Sequence, residues 1–196
     1  MKRYIYSAEG LDSSQRANIA KTTTNLQKLS QLANDDNWTV RRNVARNPNT
    51  STELLVPLAD DEYAAVRYWV ARNSNTPVDI LARLASDEDK DVRWAVADNF
   101  NSPAEVLVQL ANDENKNVRN RVAENPNTPT EILAQIASAQ NEDKLRKFIE
   151  DTLSDTIDNI SRKSKRYLDY NQIADIINDT VRHSLATMYR DYYEEG

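Results

Sequence analysis

Apolar residues recur along this chain in two alternating stripes. Between Leu26 and Ala137 the pattern repeats every 26 residues, with copies opening at Ala33, Ala59, Ala85 and Ala111 and a fifth starting at Ala137 that does not continue. Within each copy, Leu54/Leu55 and Leu58, Ile80/Leu81 and Leu84, Val106/Leu107 and Leu110, and Ile132/Leu133 and Ile136 have helical spacing and predict one buried stripe. A second stripe follows at Val40/Val44/Ala45, Val66/Val70/Ala71, Val92/Val96/Ala97 and Val118/Val122/Ala123. Two short helices per unit, stacked copy on copy, make a solenoid.

Polar positions punctuate the stripes. Thr50, Thr76, Ser102 and Thr128 stand where the first helix needs an N-cap hydroxyl, and Pro77, Pro103 and Pro129, with Ser51 once, stand where its N1 residue falls. Glu53, Asp79, Glu105 and Glu131 then take the N3 position of a capping box. The second helix is expected to start near Asp35, Asp61, Asp87 and Asp113, as caps and dipole partners. Asn47, Asn73, Asn99 and Asn125 end it, in a left-handed conformation or an Asx-turn. With two glycines in the chain, asparagine is the expected turn-former.

The recurring Asn-Pro-Asn-Thr-Pro, Leu-Ala-x-Asp and Val-Arg-x-x-Val-Ala segments resemble the variant leucine-rich repeat, a HEAT-like right-handed helical solenoid. The resemblance covers about residues 24–137. It implies an all-α solenoid of about four to five HEAT-like repeats, and it implies little about function. That family's repeat is about two residues shorter and pairs an α-helix with a 3₁₀ segment, so the longer period here favours two α-helices per unit. A described member also carries a cysteine-bound iron–sulfur module; this chain has no cysteine, so that cofactor is not expected.

The ends depart from the repeat. Residues 1–23 read as an N-terminal cap holding a degenerate repeat, with an apolar patch at Tyr4–Tyr6 and Asn18–Lys21 imitating Asn43–Arg46. Thr24 and Gln27 are the expected cap and N3 partner of the helix bearing Leu26, Leu29 and Leu32. The array proper spans 24–140, and residues 141–196 predict a hairpin of two amphipathic helices, about 142–161 and 171–193. That hairpin either caps the array or forms a seam for a homo-oligomer.

Composition narrows the chemistry. The absence of cysteine fits a reducing compartment, and no apolar run suits a signal peptide or a membrane span, so a soluble cytoplasmic protein without a membrane partner is expected. Net charge is −6, divided evenly between residues 1–140 and 141–196, and no basic domain stands behind an acidic tail. Nucleic acid is thus a disfavoured partner. One histidine, His183, and the lack of glycine-rich loops leave metal clusters, His-based catalysis and phosphate cradles without material. The basic run Arg162–Arg166 reads as a helix C-terminus complementing its dipole.

Residues that recur in every copy serve the fold. The series Asp35/Asp61/Asp87/Asp113 with Arg41/Arg67/Arg93/Arg119 is therefore read as bridges between neighbouring repeats. Residues that differ between copies are free to serve function. Two positions past each marker valine stand Arg42, Tyr68, Trp94 and Asn120; one further, Asn43, Trp69, Ala95 and Arg121; four beyond the first set, Arg46, Arg72, Asp98 and Glu124. The first and last of these series share a helical face pointing away from the valines, expected to show aromatics centrally, arginines at one end and acids at the other. In HEAT-like solenoids the second helices line the concave side, where partners bind.

The reading is a non-catalytic adaptor or inhibitor that takes a protein or peptide on Arg42, Arg46, Tyr68, Trp69, Arg72, Trp94, Asp98 and Arg121, without a cofactor. Two alternatives remain. Trp94 and Asp98, four apart, are similar to the aromatic and catalytic aspartate of HEAT-like alkylpurine DNA glycosylases, which implies a DNA-binding or glycosylase-like protein. Self-assembly through residues 141–193 would instead make a structural component.

Overall fold

A computed structural model describes residues 10–163, together with Gln172 and Asp175, which are helical. The described residues form ten α-helices and no strand: α1 (Ser13–Thr22), α2 (Leu26–Leu32), α3 (Trp38–Arg46), α4 (Thr52–Leu58), α5 (Ala64–Arg72), α6 (Val78–Leu84), α7 (Lys90–Asp98), α8 (Ala104–Leu110), α9 (Lys116–Glu124) and α10 (Thr130–Lys163). By internal packing the chain divides into one unit at Met1–Ile136 and another at Ala137–Gly196. The first unit is an all-α solenoid with two α-helices per repeat.

Side-chain size sets its packing. The longer helices α1, α3, α5, α7 and α9 lie side by side, while α4, α6 and α8 pack chiefly on the helix before or after them in the chain. Val40, Val44, Val66, Val70, Val92 and Val96 are wholly buried between them, as are Ala20, Ala45, Ala71 and Ala97. Alanine at that last position lets neighbouring backbones approach closely. The short helices each add a wholly buried leucine, Leu29, Leu55, Leu81 and Leu107. Sealing one such leucine contributes about 2 kcal/mol.

The polar punctuation works differently from the sequence expectation. Thr50, Thr76, Ser102 and Thr128 are not N-caps: each hydroxyl donates backwards to Val44, Val70, Val96 or Val122 O, at 2.6, 2.6, 2.6 and 2.5 Å. Ser51, Pro77 and Pro103 occupy the cap position themselves, without a side-chain cap bond, so the expected capping boxes do not form. Proline suits that position because its φ is pre-set and its missing N–H is an orphan anyway. For α2 the cap is Asn25 rather than Thr24, accepting from the Lys28 N–H.

Asn47, Asn73, Asn99 and Asn125 are extended rather than left-handed, and among the described residues Gly10 alone has positive φ. The Asx-turn does form: Asn47 Oδ1 accepts the Asn49 N–H at 2.9 Å, and the later copies repeat it. Each Nδ2 reaches into the preceding repeat, as Asn73 does to Ala45 O (2.7 Å) and Asn47 O (3.0 Å), and Asn99 to Ala71 O (2.7 Å) and Asn73 O (3.2 Å). A buried asparagine ladder thus replaces the expected glycine-like turn.

The aspartates are also displaced from their expected role. Asp35, Asp61, Asp87 and Asp113 lie in the loop ahead of the long helices, whose cap positions are held by Asn37, Tyr63, Asp89 and Asn115. Each carboxylate receives an arginine of the preceding repeat: Arg16–Asp35 at 2.6 Å, Arg41–Asp61 at 2.6 Å, Arg67–Asp87 at 2.7 Å and Arg93–Asp113 at 2.6 Å. The same guanidiniums bond loop carbonyls of their own repeat, as Arg67 does to Asp61 O at 2.9 Å. Arg16 extends this ladder into α1, which makes the N-terminal segment a repeat in function as well as in its Ala20 core contact.

At the other end, the helix that closes the fourth copy runs on through Ala137 to Lys163 as α10, where separate helices were expected. Earlier copies turn after Ala33, Ala59, Ala85 and Ala111 into an Asp loop; after Ala137, Ala139 stands in place of the aspartate and nothing stops the helix. Tyr4–Tyr6, Lys165, Arg166, His183 and the rest of the expected helix at 171–193 lie outside the described residues, and with them most of the proposed oligomer seam.

Candidate functional site

Variable residues on the long helices converge on one face of the first unit. Trp69 on α5 and Trp94 on α7 are half-buried, each with its ring packed against the valine core. Their exposed faces are covered by arginine. Arg46 lies 4.6 Å from the Trp69 ring centre, Arg72 lies 5.7 Å from Trp69 and 5.9 Å from Trp94, and Arg121 lies 4.6 Å from Trp94. Read along the array, the order is Arg46, Trp69, Arg72, Trp94, Arg121. Such contacts stabilise by about 0.5–1 kcal/mol each near the surface, and they fix the guanidinium planes.

Arginines therefore interleave with the aromatics instead of gathering at one end. Asp98 is the junction of this chain. Its carboxylate accepts Arg72 at 2.9 Å and Arg121 at 3.2 Å, and Arg121 also meets Glu124 at 2.7 Å. Tyr68 stands edge-on to Trp69, ring centres 5.5 Å apart, with its hydroxyl 3.2 Å from Arg72. Beside these groups opens a cleft of about 820 Å³, walled by Arg42, Tyr68, Trp69, Trp94 and Arg121 and floored by Val92. Its rim carries Asp89, Lys90, Asp91, Asn115, Asn117 and Glu124.

All eight residues singled out in the sequence thus fall on one continuous surface. Tyr68, Trp69, Arg72, Trp94, Asp98, Arg121 and Arg46 form a linked chain, and Arg42 stands across the cleft. Missed were Trp38 and Tyr63, stacked with ring centres 5.6 Å apart, with Arg42 5.4 Å above Trp38. Both vary between copies, and extending the comparison of copies two or three positions before the marker valine would have found them. The rim residues other than Glu124 were missed for the same reason: they lie at the caps and in the first turns of α7 and α9, before or beside the marker valine.

Chemically the surface offers flat aromatic faces, guanidinium edges and amides. Among the described residues no group of three or more His, Cys, Asp or Glu is arranged to hold a metal ion, and no helix is long and apolar enough to cross a membrane. Asp35, on the structural ladder, has its carboxyl held below the usual range by the Arg16 guanidinium hydrogen-bonded to it. On Arg41, Arg67 and Arg93 the hydrogen-bonded aspartate of the next repeat raises the pKa further above its already high value. These shifts belong to the scaffold.

A family described as leucine rich repeat variant matches residues 38–62 and 64–89, one repeat unit each. The two matched copies are leucine-rich repeat variant units. A solved structure described as a leucine-rich repeat variant with a novel repetitive protein structural motif superposes with a TM-score of 0.52 at 24% identity, over 66% of this chain and 57% of that one. The chain thus spans little more than half of that protein's length, and the likeness concerns the fold. No curated protein matches the sequence. In these variant repeats the matched segments include α3 and α5, which carry Arg42, Arg46, Tyr68 and Trp69.

Proposed function

We propose that this variant-repeat array is a non-catalytic binding scaffold that docks a protein or peptide on the long-helix face. The observation that carries this reading is the cleft at Tyr68, Trp69 and Trp94, whose rings are rigidly backed by the core and flanked by ordered arginines. Tryptophan, tyrosine and arginine are the side chains on which interface energy concentrates, and pre-ordering them lowers the entropy lost on binding. Asp98 supports this reading over glycosylase chemistry: a carboxylate shared by two guanidiniums is a clamp for Arg72 and Arg121, with one arginine on each oxygen.

The test is affinity capture with the full chain, comparing wild type with Tyr68→Ala/Trp94→Ala and identifying what is retained. A protein partner held by the wild type and lost by the double variant is the expected result. Equal retention by both chains would remove the face from consideration. Retention of nucleic acid alone would favour the DNA-binding alternative.

A further inference from the structure

The charges on the long-helix face are not evenly matched along it. Toward α9 the arginines are paired off: Asp98 takes Arg72 and Arg121, and Glu124 takes Arg121 again. Toward α1 they are not. Arg42 is half-buried and Arg46 exposed, one turn apart on α3, and among the described residues neither has a carboxylate within ion-pair distance. Each is instead laid against a tryptophan, Arg42 at 5.4 Å from the Trp38 ring and Arg46 at 4.6 Å from Trp69. A guanidinium resting on an aromatic face keeps its N–H edge free for an in-plane acceptor, and its planar fork matches a carboxylate.

We infer that the α3 end of this surface is a receptor for the acidic end of a partner peptide. Arg42 and Arg46 take its carboxylates, and a neighbouring apolar side chain enters the cleft between Tyr68 and Trp94. This rests on the proposed protein-binding function and adds to it the chemical class and direction of the ligand. Charge complementarity decides the direction: on α3 Arg42 and Arg46 stand without a carboxylate partner among the described residues, whereas the α7 and α9 side of the cleft carries Asp89 and Asp91 with Lys90 beside the compensated Asp98 cluster. On a chain of net charge −6, a local cationic pair steers only at short range, so the interaction must weaken as salt shortens the screening length.

The experiment measures fluorescence anisotropy of the full chain with three labelled probes. The first is a peptide with a central leucine flanked by glutamates, the second its lysine counterpart, the third an oligothymidylate. The acidic peptide is expected to bind, to weaken as salt rises, and to lose about tenfold or more in affinity with Arg42→Glu/Arg46→Glu. Arg42→Gln/Arg46→Gln is expected to fall between, and circular dichroism melts should show one cooperative transition lowered only by the loss of two arginine–tryptophan contacts, because neither arginine belongs to the buried inter-repeat ladder. Preference for the lysine peptide, preference for the oligothymidylate, or indifference to charge reversal would each overturn the inference. If a captured protein partner is lost with Tyr68→Ala/Trp94→Ala while the acidic probe fails to bind, the acid preference is wrong and the binding face stands. If capture too is indifferent to that double variant, both fall.

Discussion

Replacing Asn99 by alanine tests the asparagine ladder at its centre. The side chain is 8% exposed and makes three hydrogen bonds: Nδ2 to Ala71 O at 2.7 Å and to Asn73 O at 3.2 Å, and Oδ1 from the Asn101 N–H at 2.8 Å. At about 1 kcal/mol net for each bond, and more where a buried carbonyl is left without a partner, the loss comes to about 3 kcal/mol. That is a large share of the roughly 5–15 kcal/mol that holds a domain folded. Asn127 is the control, since it also spans repeats, to Phe100 O at 2.6 Å, but is exposed, and water can replace it for less than about 1 kcal/mol. Asn99→Asp sharpens the comparison. It keeps the acceptor for Asn101 but turns an anionic oxygen toward two carbonyls, and should cost at least as much as alanine. Urea unfolding of the full chain followed by circular dichroism reads all three. Asn99→Ala and Asn127→Ala within about 0.5 kcal/mol of each other would refute the ladder as a source of stability, because Asn99 exceeds Asn127 both in burial and by one side-chain hydrogen bond.

Four further outcomes follow from the same structure. Arg93→Met, which strips Asp113 of a partner in a pair only 10% and 5% exposed, should cost about 3 kcal/mol in urea unfolding. Arg119→Met should cost about 1 kcal/mol, because Arg119 bonds only Asp113 O and Glu114 O, with no carboxylate among the described residues. Asp35, held below its ordinary carboxyl pKa, adds stability that is present above that value and lost as pH falls through the depressed one, so Asp35→Asn should flatten the acid limb of the stability–pH curve below about pH 4. Thr76→Val keeps the shape but removes the bond to Val70 O at 2.6 Å, and should cost about 1–2 kcal/mol in the same unfolding assay; no change would return Thr76 to a dispensable position.

The stripes of Leu55 and Val70 were legible because apolar spacing reports directly on which helix face is buried. Caps were read one residue early. A hydroxyl before proline satisfies the N-cap pattern, and nothing local shows that the Thr76 hydroxyl lies nearer the carbonyl of Val70 behind it. The asparagine ladder was illegible for a different reason. Whether Asn99 reaches Ala71 depends on the distance between stacked helices, which the small Ala71 and Ala97 set only once the array exists. For the surface, comparing copies worked because Tyr68, Trp69 and Trp94 occupy positions the fold leaves open. The interleaving of Arg46, Arg72 and Arg121 with the tryptophans escaped it, since the offset between adjacent helices decides which side chain lies over which ring.

Two kinds of arginine on the same helices show how this scaffold divides labour. Arg41, Arg67 and Arg93 sit one position after the marker valine, bury their forks against the next repeat's aspartate, and recur because every interface needs them. Arg42, Arg46 and Arg72 sit on the opposite face, over aromatic rings, and differ from copy to copy. Cohesion in such an array is a sum of nearest-neighbour interfaces, here valine packing with the arginine and asparagine ladders. The long-helix face adds smaller terms of its own, the arginine–tryptophan contacts and the Arg72–Asp98 pair that join adjacent helices. Substitution at Tyr68 or Trp94 therefore leaves the buried arginine and asparagine ladders intact, and the face can change its partner at the cost of these smaller contacts rather than of the interfaces that hold the array together.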